Sequence, residues 1–362
     1  MIEEGAVLKK DTATGRKTRD MNVELLRIIL MLMVVTLHYL SHGGILDATP
    51  LGGSHDIFIW GLETLSFIGV DGFVIISGYY MSDSDFKLKK LFSLVLQIVF
   101  TSIVIYLLFA VLGLAPFTRY DTFGAFFPII TGKYWFVTSY VCLYCLTPFL
   151  NAVVRNVTKR QLQALVILLS LMFCSWRAFF SPLTMMNTDG GYNVVWLVCL
   201  YFFAAYLRLY WDFKINKWIY LAVYFLCCGF VLWNKCQGND DFLAYISVPI
   251  TTAAIALFLF FREVKINSSV WSRIIGFISP LTFGVYLISE NIWLRSILYT
   301  KILQTQLFIG TPQIVYAIPM SILAIFFGCI LIDFVRSILF RPLLSSMLFQ
   351  DICGKIEDKM AA

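Results

Sequence analysis

Charge is what this sequence has least of. Only 14% of its 362 residues are Asp, Glu, Lys or Arg, against 59% hydrophobic and 17% aromatic, and the mean hydropathy is +0.80. So little charge cannot clothe a water-facing surface, which excludes a large soluble domain and makes lipid the solvent. Histidine is scarcer still: there are three, His38, His42 and His55, none at ligand-like spacing from cysteines or carboxylates, so no metal site is expected. The net charge of +6 lies in short runs between apolar segments, the pattern of membrane topology rather than of a nucleic-acid surface. No internal repeat is evident, which weighs against the inverted halves of many secondary transporters. Most of the nine cysteines lie inside apolar segments. Cys142 and Cys145 form a CxxC with no second pair and no nearby histidine, a pattern of helix packing more than of metal or redox chemistry.

What is present is a succession of apolar runs, each near the roughly 20 residues a spanning helix needs. They predict an all-α, polytopic integral membrane protein with about ten transmembrane helices, at 23–41, 57–81, 91–114, 134–154, 161–180, 192–210, 218–234, 243–261, 274–297 and 313–340. A tail, 1–22, precedes this domain, 23–340, and another, 341–362, follows it. Turn or charged stretches such as Gly43-Gly44, Asp83 to Lys90, Arg155 to Arg160 and Gln237 to Asp241 mark the breaks. The first run, Val23 to Leu40, is too long for a signal-peptide core and lacks a small-residue cleavage site, so it is expected to stay as the first span. With the amino terminus cytoplasmic, all of the 28 lysines and arginines fall inside except Arg119, Lys133, Arg177, Lys235, Arg295 and Lys301. That bias predicts both termini in the cytoplasm.

Ionisable residues within spans are expensive unless paired or wetted, so they are the candidate functional groups. The first span carries Glu24, Arg27 and His38. The eleven steps from Arg27 to His38 leave a net rotation of about 20° and a rise of roughly 16 Å, so the two share a helix face. Glu24 is placed to pair with Arg27, and Arg27 to meet a phosphate. His38 has the chemistry of a general base; it reads equally as a core histidine satisfied by a carbonyl. The second span holds Glu63 and, near mid-membrane, Asp71. Asp71 either orients His38, as a triad acid does, or pairs structurally with Arg27, Arg177 or a hydroxyl. Gly69, Gly72 and Gly78 allow the close helix approach that the first role requires. Lys87, Lys89 and Lys90 follow at the inner side, either to bind a nucleotide-like cofactor or to sit against anionic lipid. Glu290 with Arg295, and Asp333 with Arg336, look like paired charges near helix ends.

The stretch Glu24-Leu25-Leu26-Arg27-Ile28-Ile29, continued by Val34-Val35-Thr36-Leu37-His38-Tyr39, resembles the opening helix of the membrane-bound acyltransferase 3 family. Gly69 to Tyr79 resembles its second-span signature. Tyr134-Trp135-Phe136 with Tyr144 and Pro148-Phe149-Leu150-Asn151 resembles its fourth-span pattern, and Phe283-Gly284-Val285-Tyr286-Leu287-Ile288 its late aromatic helix. The resemblance covers most of the chain, in order. It implies a ten-span protein of the bacterial cytoplasmic membrane that moves an acyl group, usually acetyl, from cytoplasmic acyl-CoA to a hydroxyl of a surface or exported carbohydrate. The family's essential first-helix histidine falls on His38 and its arginine on Arg27.

Two departures stand out. The late helix of the family commonly runs on into a histidine, where this chain has Ser289 and Glu290, and the arginine-rich segment after the second span is represented by Lys87, Lys89 and Lys90 alone. The expected site therefore has acyl-CoA near Arg27, Lys87, Lys89 and Lys90, with His38 as general base or acyl carrier. Asp71 or Glu63 would hold the imidazole, while Trp135, Tyr134 and Glu290 lie on the acceptor side. Trp135 and Tyr134 also suit an interfacial aromatic belt. The rival activities are a proton-coupled transporter or flippase of a lipid-linked sugar, with His38, Asp71 and Glu290 as relay, and a membrane scaffold that has lost activity.

Overall fold

The structure is a computed structural model that describes residues 19–49, 51, 53–175, 185–346 and 354–356. Arg177 and most of each terminal tail lie outside the described residues. Among the described residues all regular structure is helical. Seven helices among the described residues are long and apolar enough to cross a bilayer: Met21–His42, Asp56–Met81, Leu88–Val111, Trp135–Asn156, Lys217–Cys236, Ser269–Ser289 and Ile314–Phe340.

In chain order the elements are α1 (Met21–His42), then α2 (Ser54–Ser66) and α3 (Gly69–Met81), which form the second span broken at Phe67 and Ile68. α4 is Leu88–Val111, α5 Arg119–Phe126, α6 Trp135–Asn156 and α7 Lys159–Leu169. α8 (Val194–Tyr210), α9 (Lys217–Cys236) and α10 (Val248–Arg262) follow. Last come α11 (Ser269–Ile278), α12 (Thr282–Ser289), α13 (Ile292–Ile297) and the long α14 (Ile314–Ser345). Side-chain caps set several starts: Asn193 accepts from the amides of Val195 and Trp196, Ser247 from that of Ile250, and Thr158 pairs with Gln161 in a capping box.

The apolar runs at 192–210 and 243–261 are shorter in the structure, at 17 residues for α8 and 15 for α10. At 1.5 Å per residue neither fills a hydrocarbon layer of about 30 Å. Both are nearly all core: Trp196, Leu200 and Tyr201 of α8 and Ala253, Ala254 and Phe258 of α10 are buried. The run at 161–180 becomes α7 and a π-helical turn, Ser170–Ser175, and its remainder lies outside the described residues. The run at 274–297 is interrupted. Pro280 opens a short 3-10 turn within it, and the helix ends at Ser289 because Asn291 caps a new start, its side chain accepting from the amide of Trp293.

α1 is the hub of the bundle, packed against α2, α3, α10, α11, α12 and α14. Two hydrophobic cores flank it. One joins α3, α8 and α10; the other joins the second half of α1 to α12 and α14. The outward faces are apolar too, with Val111, Phe149, Leu226, Met320 and Leu331 exposed, as lipid contact requires.

Glycines set the spacing of α3. A side chain at Gly69 or Gly72 would strike Val34 or Leu30 of α1, and one at Gly78 would meet Ala204 Cβ and Tyr201 Cα of α8, both at 3.0 Å. The last contact involves backbone, which cannot rotate away. Gly78→Val is therefore expected to destabilise the fold by about 1–3 kcal/mol, read as a lower thermal unfolding midpoint in detergent relative to Gly229→Ala, where no atom lies within 4 Å of the added Cβ.

Candidate active site

One cavity of about 960 Å³ follows α1 along its whole length, with Arg19, Arg27, Met31, Val34, His38 and His42 in its wall. The eleven-residue spacing of Arg27 and His38 thus puts both on the cavity side. At the first end the lining is basic: Arg19 and Arg27 face Lys87, Lys89 and Lys90 at the start of α4. Glu24 lies 4.0 Å from Arg27 and is also hydrogen-bonded by the Ser279 hydroxyl. Arg27 Nε is buried and without a hydrogen-bond partner. A cluster of cations lining one end of a cavity fits a phosphate-bearing ligand.

Deeper in, His38 Nδ1 stands 3.1 Å from Glu290 Oε1, slightly off hydrogen-bonding alignment. Such contacts in a ligand-free site commonly tighten once substrate binds. The other carboxylate oxygen is held as well: His42 Nε2 lies 3.3 Å and Arg295 Nη1 3.4 Å from Glu290 Oε2. The two imidazoles stack with centroids 5.6 Å apart. Glu290 is the C-cap of α12: its amide still bonds the Tyr286 carbonyl at 3.0 Å, and the chain leaves helical geometry after it, before α13 starts at Ile292. With Nδ1 directed at the carboxylate, Nε2 of His38 is left for the cavity.

The carboxylate beside His38 is therefore neither Asp71 nor Glu63. Asp71 is fully buried on the other side of α3, where Trp196 Nε1 donates to its Oδ1 at 3.1 Å. Gly69 and Gly72 do bring α3 against α1, but Asp71 faces α8. Its partner is an indole, so the expected pairings with Arg27 or a hydroxyl are not the ones formed. Glu63 lines the cavity beyond His38. Trp135 is in the wall; Tyr134 is not, being buried with its hydroxyl donating to the Leu287 carbonyl at 3.1 Å and accepting from Asn291 Nδ2 at 2.9 Å. Tyr134 thus braces the break that presents Glu290. The expected ion pairs hold: Arg295 with Glu290, and Arg336 bidentate to Asp333 at 2.6 and 2.9 Å.

Sequence reasoning missed His42, because it ended the first span at 41. The signal was there, since His38 and His42 are four residues apart and α1 continues through both. It also missed Arg19, Tyr192 and Tyr245 in the cavity wall, which no local spacing connects to His38.

A family model described as an acyltransferase domain matches residues 21–333. The chain belongs to the acyltransferase 3 family. Its activity class is acyl transfer, and the matched region contains every residue of the cavity wall except Arg19. Neither the curated proteins nor the solved structures give a match to the chain. For this acyltransferase 3 chain, Glu290 is the carboxylate beside the first-helix histidine, and His42 its second imidazole neighbour.

Proposed function

We propose that the protein is a multi-pass O-acyltransferase of the bacterial cytoplasmic membrane, moving an acyl group, acetyl in the first instance, from cytoplasmic acyl-CoA to a hydroxyl of a surface or exported carbohydrate. The observation that carries this reading is the single cavity with a basic mouth at one end and His38 against Glu290 within it. With ten spans and both termini in the cytoplasm, the basic mouth faces the cytoplasm and His42 the outer side. α8, α10 and α7 with its π-helical turn Ser170–Ser175 would then supply the three crossings beyond the seven long apolar helices.

Arg27, Arg19 and the lysines at 87, 89 and 90 take the phosphates of the donor, and its thioester arm extends along α1 toward His38. His38 Nε2 removes the proton from the acceptor hydroxyl as the oxygen attacks the thioester carbonyl. Glu290 stabilises the imidazolium that forms, and His42 and Arg295 hold the far oxygen of Glu290 so that the near one stays on His38. When the carbon–sulfur bond breaks, the imidazolium returns the proton to the departing thiolate. The products are the acylated carbohydrate and free thiol, and His38 is neutral again.

Purified protein in lipid vesicles, given acetyl-CoA and surface glycans, is expected to release thiol only when acceptor is present. Release that ignores the acceptor, or none with any glycan, would refute the reading. Lys87→Ala together with Lys89→Ala is expected to raise the KM for acetyl-CoA about tenfold, the equivalent of roughly 1.4 kcal/mol, with kcat little changed. The wild-type KM is expected to rise with salt, since exposed charges are screened.

A further inference from the structure

Beyond His38, away from the basic mouth, the cavity has an arm that the proton chemistry does not use. Its one carboxyl is Glu63 of α2, 6% exposed, with Oε2 shut off from solvent and lacking a hydrogen-bond partner. Around it the wall is aromatic. Tyr192 lies 4.6 Å from Trp135 and 4.9 Å from Tyr245, and Phe67 4.8 Å from Tyr245, centroid to centroid. These rings form a continuous π surface rather than scattered contacts.

Backbone strain holds that surface in place. Thr188, Asp189, Gly190 and Gly191 all have positive φ, at 44, 54, 67 and 100°, a run that non-glycine residues rarely enter. It carries the chain directly to Tyr192. At Gly191 a side chain would also meet Tyr245 Cβ at 2.7 Å and Trp196 Cδ1 at 3.0 Å, so the turn and the ring wall are built against each other.

Charge on this arm is one-sided. Among the described residues no Lys, Arg or His nitrogen comes within 4.0 Å of Glu63. The cation whose field reaches it, Lys235, is engaged elsewhere, 2.7 Å from Asp240 and 4.0 Å from the Trp60 ring centroid. A buried carboxyl with an unused oxygen beside electron-rich ring faces suits a cation with an apolar face. A neutral hydroxyl would satisfy the oxygen but gain nothing from the ring faces. An ammonium does both.

Taking the carbohydrate-acceptor reading as given, we infer that this arm is a subsite for an amino sugar, a pyranose with a free ammonium group. The ring stacks on the Trp135 and Tyr192 surface and the ammonium pairs with Glu63. The subsite sets which acceptor unit is held while a neighbouring hydroxyl meets His38.

Calorimetric titration of the full-length protein in lipid nanodiscs, without acyl donor, tests this. A glucosamine tetrasaccharide is compared with a glucose tetrasaccharide of the same linkage, at a pH where the amine is charged. The wild type is expected to bind the amino sugar at least about tenfold more tightly, with Glu63→Gln removing that preference and Tyr192→Ala weakening both sugars. Equal affinities, no binding of either sugar, or a preference that survives Glu63→Gln would each overturn the inference, the first two without reference to any variant's folding. Thiol release from acetyl-CoA measured alongside separates the two readings: binding preference without release defeats acyl transfer alone, and release without preference defeats the amino-sugar subsite alone.

Discussion

His38→Gln is expected to lower acceptor-dependent thiol release by roughly 10²–10⁴-fold, the usual contribution of a positioned general base, while acetyl-CoA binds within about threefold of wild type. Glutamine keeps the length and polarity of the side chain but offers no group that takes a proton near neutral pH. In the proposed mechanism the donor's phosphates meet Arg27, Lys87, Lys89 and Lys90, distant along α1 from residue 38, so those contacts are expected to survive. A rate unchanged at equal folded amount would remove His38 from the chemistry. A parallel loss of donor binding would make His38 a packing residue instead.

The second large effect separates Glu290 from Asp71, one of the two carboxyls that the sequence reading placed on His38. Glu290→Gln is expected to reduce kcat by about 10²-fold or more, because the imidazolium that forms on His38 loses the charge facing it. Asp71→Asn is expected to leave kcat within about threefold while lowering the unfolding midpoint, since residue 71 lies fully buried against Trp196 and an altered buried hydrogen bond acts on stability. His42 gives a finer check. Gln can present an amide N–H where His42 Nε2 meets Glu290, so His42→Gln is expected to keep most of the activity that His42→Ala loses. Equal losses for Glu290→Gln and Asp71→Asn, measured as kcat at saturating donor, would contradict the assignment of Glu290.

The opening helix was legible because its information is local. Eleven residues of α-helix put Arg27 and His38 on one face whatever surrounds them, and both do line the cavity. The long apolar runs were legible for the same reason, being set by hydropathy over some twenty residues. Asp71 was only half legible. Gly69 and Gly72 touch α1, and at 100° per residue Asp71 lies about 100° from Gly72 and 200° from Gly69. It therefore faces away from the helix that carries His38.

Glu290 was not legible as the partner of His38. Its position depends on the chain breaking after Ser289 and restarting at Asn291, and on Tyr134, from a different span, bonding across that break to Asn291. Only Ser289, Glu290 and Asn291 interrupt the apolar run before Ile292-Trp293-Leu294 resume it, so the late span reads as one helix from 274 to 297. The outer arm escaped for a related reason. Glu63, Trp135, Tyr192 and Tyr245 come from four separate stretches of chain, and only tertiary packing gathers them.

The central claim is that His38, held by Glu290, handles the proton of an acyl transfer. The most direct test supplies radiolabelled acetyl-CoA and surface glycan to the wild type, His38→Gln and Glu290→Gln in vesicles, and counts label on the isolated glycan against thiol released. One label per thiol for the wild type, with both variants reduced together by about 10²-fold or more, is the predicted result. Label appearing on the glycan at the wild-type rate in either variant would contradict it.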